Sequence, residues 1–136
     1  MNDQNETSDK AARLQRAAAK RDQIEVQARQ LHDDGEFQAA AAAVLEFYQD
    51  ELIGWLAKRL DHLQQASEVY SDFLLRFWQQ WEQFRWESSF RTWAYTILRR
   101  TLWDSNRQTP REVTLPSSLS DLGTQAQQRI STYKYS

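Results

Sequence analysis

The sequence predicts an all-α fold: a compact bundle of three to four core helices, with an extra N-terminal helix and a flexible C-terminal tail. Glycine and proline are scarce, 3 and 2 in 136 residues, which leaves little for hairpins and favours helices joined by short turns. Apolar residues recur at helical spacing in successive segments. All 6 Trp fall between Trp55 and Trp103, so the core is expected there.

Residues 1–9 are polar and are expected to be disordered. Residues 10–35 are rich in Ala, Arg, Gln and Lys, which are good helix formers. Leu14, Ala17, Ala18, Ile24, Ala28 and Leu31 give this helix only a weak apolar stripe, so it is expected to be a poorly buried, solvated appendage. Asp33, Asp34 and Gly35 break it. The core domain, residues 36–109, follows. Phe37, Ala40, Ala41, Val44, Leu45 and Tyr48 open its first helix or helix pair, and Leu52, Ile53, Leu56, Leu60 and Leu63 continue it. A second helix is expected over 67–83, with Val69, Phe73, Leu74, Phe77, Trp78 and Trp81 inward. A loop over 84–88 leads to a third helix reaching about residue 106. Ser88 or Ser89 is suited to cap it, because a Ser hydroxyl accepts from an orphan backbone N–H. Its inner face is Phe90, Trp93, Ala94, Ile97, Leu98 and Leu102. Pro110 and Pro116 bracket a polar stretch, and residues 110–136 read as interdomain linker or tail.

Several functions are disfavoured. The chain has no Cys, which excludes disulfides, thiolate catalysis and any zinc site needing sulfur. No apolar run approaches the roughly 20 residues of a membrane helix. The first ten residues lack the basic-then-apolar order of a signal peptide, so a cytoplasmic location is expected. His32 and His62 stand alone, without metal-ligand spacing. Asp33 and Asp34 are adjacent in a turn and read as solvated. No Gly-rich phosphate loop and no nucleophile with its base is present. No catalytic residue, metal or cofactor is expected.

The formal net charge is -2, so any nucleic-acid signal has to be local. Residues 84–111 carry it. Arg85, Arg91, Arg99, Arg100, Arg107 and Arg111 outnumber Glu87 and Asp104, and Phe84, Trp86, Phe90, Trp93, Tyr95 and Trp103 are interleaved. Arginines suit phosphates and aromatics suit stacking on unpaired bases. On a helix, Tyr95, Arg99 and Asn106 lie along one track and Arg100 and Arg107 along the next. That strip matches a helix laid against a DNA backbone. A plain amphipathic helix with a solvated basic face accounts for the composition alone.

The stretch SFRTWAYTILRRTLWDSNRQ, residues 89–108, resembles the part of sigma-factor region 2 that reads and opens the minus-ten promoter element. Ser89, Phe90, Trp93, Ile97, Asp104 and Arg107 match the pattern; Ala94, Leu98 and Arg100 replace its usual Leu, Ala and Asn. Upstream, QASEVYSDFLLRFWQQW, residues 65–81, resembles the helix that docks on the polymerase, with Ala66, Glu68, Leu75 and Trp78 matching. LIGWLAKRLDH, residues 52–62, fits the preceding helix. The chain therefore resembles an extracytoplasmic-function sigma factor of the sigma-70 family over about residues 37–110.

That resemblance implies a non-enzymatic bacterial transcription initiation factor. Its partners are core RNA polymerase, through the clamp helices of the largest subunit, and single-stranded minus-ten promoter DNA. It implies DNA contacts at Arg85, Trp86, Ser88, Arg91, Arg99, Arg100 and Arg107, with Arg85, Trp86 and Ser88 around a base flipped from the non-template strand. It implies polymerase contacts at Ser67, Glu68, Ser71, Asp72 and Arg76. Phe90, Trp93 and Ile97 are read as core. Two departures stand out. The acidic motif of the polymerase-docking helix is here Gln65, Ala66, Ser67 and Glu68, so two of its carboxylates are absent. A phosphoserine would restore about -1.5 to -2 charges. Ser67, with Ser71 second, is the phosphorylation candidate, and a Ser/Thr kinase or an anti-sigma factor is the candidate partner. A plain helix-capping role for Ser67 is the competing reading. The second departure is that nothing after Pro116 resembles the usual helix-turn-helix region. A chain ending in the interdomain linker is expected over a stand-alone region 2 that needs a partner chain. The alternative function is a sigma-like helical adaptor without DNA binding.

Overall fold

The computed structural model describes residues 3–106 and 115–135, with side chains over 5–105 and 115–129. The described residues are all-helical: α1 (Asp3–Asp33), α2 (Phe37–Arg59), α3 (Leu63–Trp81), α4 (Phe90–Trp103), a short 3₁₀ helix (Asp104–Asn106) and α5 (Ser117–Tyr135). The expected helical bundle with an added N-terminal helix is what forms.

α2 is the central element and packs against α1, α3, α4 and α5. Its buried residues cover a wide arc, from Ala40 and Ala41 through Tyr48 and Gln49 to Leu56. Alanines on this helix leave only methyl groups between neighbouring backbones, so flanking helices come close. α3 turns Val69, Tyr70, Phe73, Leu74, Phe77 and Trp81 inward. These rings build an aromatic column in which Phe77 meets Trp81 at 5.0 Å and Trp81 meets Phe90 of α4 edge-on at 5.7 Å. Edge-to-face and offset pairs of this kind add to the burial of the rings themselves.

The two ends of the chain differ from the sequence expectation. α1 begins at Asp3, where disorder is expected, so the helix runs on through DQNETSD, a polar stretch most of whose residue types do not themselves favour it. The outer part is solvated, with Leu14 61% exposed. The inner part is docked: Ala28 and His32 are buried. The linker or tail region carries α5, which rests on α2 and α3. Leu119 and Ala126 are fully buried in that contact. A Cβ added at Gly123 would stand 2.8 Å from Leu74 Cδ1, so the missing side chain sets how near α5 approaches α3. A buried polar chain pins the helix: Tyr70 donates its hydroxyl to Gln49 Oε1 at 2.8 Å, and Gln49 Nε2 donates to the Leu122 carbonyl at 3.0 Å.

Candidate nucleic-acid interface

The connection from α3 to α4 runs over residues 82–89. Trp86 holds φ 59, the left-handed region that bulky residues seldom occupy. This turns its indole inward, against Phe84 at 4.7 Å, His32 at 5.7 Å and Trp81 at 5.9 Å. The indole Nε1 is buried and has no hydrogen-bond partner among the described residues. Trp86, expected beside a captured base, is instead half-buried in the aromatic cluster. Arg85 and Ser88, its expected companions, are exposed on the outer side of the loop. Both line an open pocket of about 410 Å³ with Gln83, Phe84, Glu87 and Trp93. Its floor is the stacked pair Phe84 and Trp93, 4.4 Å apart and 18° from parallel. Trp93 is thus both core neighbour and pocket wall.

α4 starts where the sequence suggests. Ser89 is its N-cap, and its hydroxyl accepts from the Thr92 backbone N–H at 3.1 Å. The two preceding N–H groups are also satisfied, by a residue no sequence motif indicates. Phe90 N donates to Glu25 Oε1 at 2.6 Å and Arg91 N to Glu25 Oε2 at 3.2 Å.

The arginines divide. Arg91 Nε meets Glu51 Oε2 at 2.9 Å, and its guanidinium lies 5.3 Å from the Tyr95 ring centroid. Tyr95 donates its hydroxyl to the same carboxylate oxygen at 2.7 Å. Burial first, then the Glu51 hydrogen bond, push the Tyr95 phenol up to about 12. Arg91 is therefore engaged with α2. Arg85, Arg99 and Arg100 are exposed and have no carboxylate partner among the described residues. Arg99 borders a second open recess, about 570 Å³, with Trp55, Arg59, Leu102 and Trp103. Arg59 stacks on Trp55 at 3.8 Å, and Trp103 is 84% exposed. This recess offers two guanidinium groups and an open indole face, the chemistry that holds phosphates and stacked bases. Trp55 and Arg59 are not among the contacts expected from the sequence, and Trp103 enters there only as one of the interleaved aromatics. The Tyr95, Arg99, Trp103 spacing of four was the available signal. Arg107 lies outside the described residues.

On α3, where the sequence places the polymerase contacts as an expectation, Glu68 and Ser71 are exposed. Arg76 is committed internally: its Nη1 meets Asp104 Oδ2 at 3.1 Å and its Nε meets Asp72 Oδ2 at 3.8 Å, tying α3 to the end of α4. Ser67 is half-buried, and its carbonyl accepts from Gln127 Nε2 of α5 at 3.0 Å. The helix starts at Leu63 with His62 at the N-cap position, so Ser67 lies a full turn inside and is not a cap. His32 is 7% exposed and its Nε2 bonds the Trp81 carbonyl at 2.7 Å, a structural histidine. Among the described residues no cluster of His and carboxylates could hold a metal ion, and no helix is long and apolar enough to cross a membrane.

A family model for sigma-70 region 2 matches residues 44–112, half of the chain. The chain belongs to the sigma-70 family, as a region 2 domain. Region 2 of that family is a non-catalytic domain that serves transcription initiation through RNA polymerase binding and promoter recognition. Comparison with curated proteins and with solved structures finds no match.

Proposed function

We propose that this chain is the promoter-melting domain of an extracytoplasmic-function sigma factor. In this reading α3 docks on the clamp helices of the polymerase largest subunit through Glu68, Ser71 and Asp72. A base flipped from the non-template strand enters the pocket between Arg85, Glu87 and Ser88 and rests on Phe84 and Trp93. Upstream, Arg99, Arg100, Arg59 and Trp103 hold the backbone and adjacent bases. Base extrusion costs a few kcal/mol and is offset by stacking and pocket contacts, so no hydrolysis is required. The observation that carries this reading is the pairing of two open aromatic-floored recesses with unpaired arginines along one loop and helix of a region 2 domain.

Fluorescence anisotropy with single-stranded minus-ten DNA tests it. Affinity should fall with salt, as phosphate contacts release counterions. It should fall about tenfold in Arg99→Ala, a loss of about 1.4 kcal/mol. Salt-independent or absent binding would favour the adaptor reading, in which the fold docks partners without touching DNA.

Phosphorylation is the second part of the proposal. Gln65 and Ser67 stand where the family places carboxylates, and a phosphate on Ser67 or Ser71 adds negative charge to the polymerase-facing side of α3. Ser71 is open to a kinase, whereas Ser67 has α5 alongside. Pull-down with core polymerase should rank kinase-treated protein and Ser67→Glu above Ser67→Ala; equal recovery of all three sinks the switch.

A further inference from the structure

The α3–α4 loop is held at both ends by one helix, and that helix lies outside the matched domain. The loop leaves α3 after Trp81, whose carbonyl accepts from His32 Nε2 at 2.7 Å. It enters α4 at Phe90 and Arg91, whose N–H groups donate to the Glu25 carboxylate at 2.6 and 3.2 Å. Glu25 and His32 are seven residues apart on α1, so they share a face and stand two turns apart, about 10 Å along the axis. Both anchors are themselves braced. Tyr48 of α2 donates its hydroxyl to Glu25 Oε2 at 2.9 Å. The His32 ring packs edge-on against Phe37 at 4.9 Å, Trp81 at 4.7 Å and Trp86 at 5.7 Å.

We propose that α1 is a splint for the α3–α4 loop, with Glu25 and His32 as positioning residues that fix the loop's span and hence the shape of the pocket at Arg85, Glu87 and Ser88. A negative carboxylate at the start of α4 satisfies two orphan N–H groups and complements the helix dipole. Ser89 satisfies a third at Thr92, and the Ser89 carbonyl receives Trp93 N at 3.1 Å. Every amide of the first turn of α4 is therefore engaged, two of them by α1. Inside the loop, Trp86 sits in a strained conformation with its indole N–H unpaired. A segment with those costs needs restraint from outside to keep one shape, and α1 supplies it at both ends.

The inference rests on the proposed base-capturing role of the loop, and amide hydrogen exchange tests it without DNA. In Glu25→Ala, exchange over residues 84–91 should quicken about tenfold or more while the amides of α2 and α3 keep their protection. Minus-ten DNA affinity should fall about tenfold in the same variant, with core polymerase binding through α3 unchanged. Glu25→Gln preserves volume and one acceptor oxygen, so it folds and should fall between wild type and Glu25→Ala at Phe90 and Arg91. His32→Ala should loosen the other end, residues 82–86. A Glu25→Gln chain whose loop exchanges like wild type overturns the splint, and so does exchange that rises evenly through the whole chain. Should the wild-type chain bind no minus-ten DNA while Glu25→Gln still frees the loop, the base-capture reading fails and the splint stands as a structural device.

Discussion

Trp86 concentrates the energetics of the loop in one residue. Its left-handed φ costs about 1–3 kcal/mol for a bulky side chain. Its buried, unpaired indole N–H costs about 1–3 kcal/mol more. Ring contacts with Phe84, Trp81 and His32 offset these terms. Trp86→Phe keeps most of the contacts and removes the orphaned donor, so its thermal midpoint should equal or exceed that of wild type. Trp86→Ala loses the contacts and should be destabilised by about 2 kcal/mol. Binding separates this role from DNA contact. Arg85→Ala should weaken minus-ten DNA binding about tenfold, whereas Trp86→Phe should leave it unchanged. Comparable losses in both would place Trp86 on the DNA. Arg85 and Ser88 were legible as pocket residues because their chemistry is local. Trp86 turns into the aromatic cluster, while Trp93 of α4 lines the pocket, because in an irregular loop φ and not sequence period decides where a ring points.

At the scale of elements, the helices with strong apolar stripes were readable and those that dock through small or polar residues were not. α3 and α4 carry five or more large apolar residues each packed in or against the core, and the N-cap of α4 at Ser89 follows from hydroxyl chemistry. Ser89→Ala should cost about 1 kcal/mol by chemical denaturation. α5 buries Leu119, Gly123 and Ala126, and two of those three add almost no hydrophobicity to a composition count. Its anchor is Gln49, a polar residue that apolar periodicity passes over. Gln49→Leu leaves the Tyr70 hydroxyl and the Leu122 carbonyl unpaired, so it should destabilise by about 2–4 kcal/mol. In that variant α5 should become the first segment to lose amide protection. α1 was likewise hidden, because its docking depends on two long-range contacts from Glu25 and His32. A single carboxylate or imidazole in a polar helix carries no sign of its distant partner.

For the whole molecule, three tyrosines tie the packing of the helices to alkaline stability. Burial is the largest cause of the raised phenol pKa at Tyr48, Tyr70 and Tyr95, with Glu25 and Glu51 adding at Tyr48 and Glu51 adding at Tyr95. The folded state favours the neutral phenols. Their contribution is therefore complete below the unfolded value of about 10 and is lost as pH climbs through the folded values. For Tyr95 the folded value is about 12. The denaturation midpoint should fall between about pH 10 and about pH 12, and Tyr95→Phe should flatten the slope. A midpoint flat over that window would contradict the packing of these phenols. The acidic net charge of -2 and the basic strip at α4 also belong to this scale. In the proposed reading the DNA contacts come from the α3–α4 loop and α4, and not from the overall charge of the chain, which is acidic.

That division makes base capture the claim on which the rest depends. The direct measurement places a fluorescent adenine analogue, in turn, at each non-template position of a minus-ten fork-junction DNA bound to the chain with core RNA polymerase. One position should change its fluorescence sharply as its base leaves the stack, and Arg85→Ala should abolish that change while polymerase binding persists. A signal spread evenly over all positions, or a single-position change that survives Arg85→Ala intact, would contradict the account.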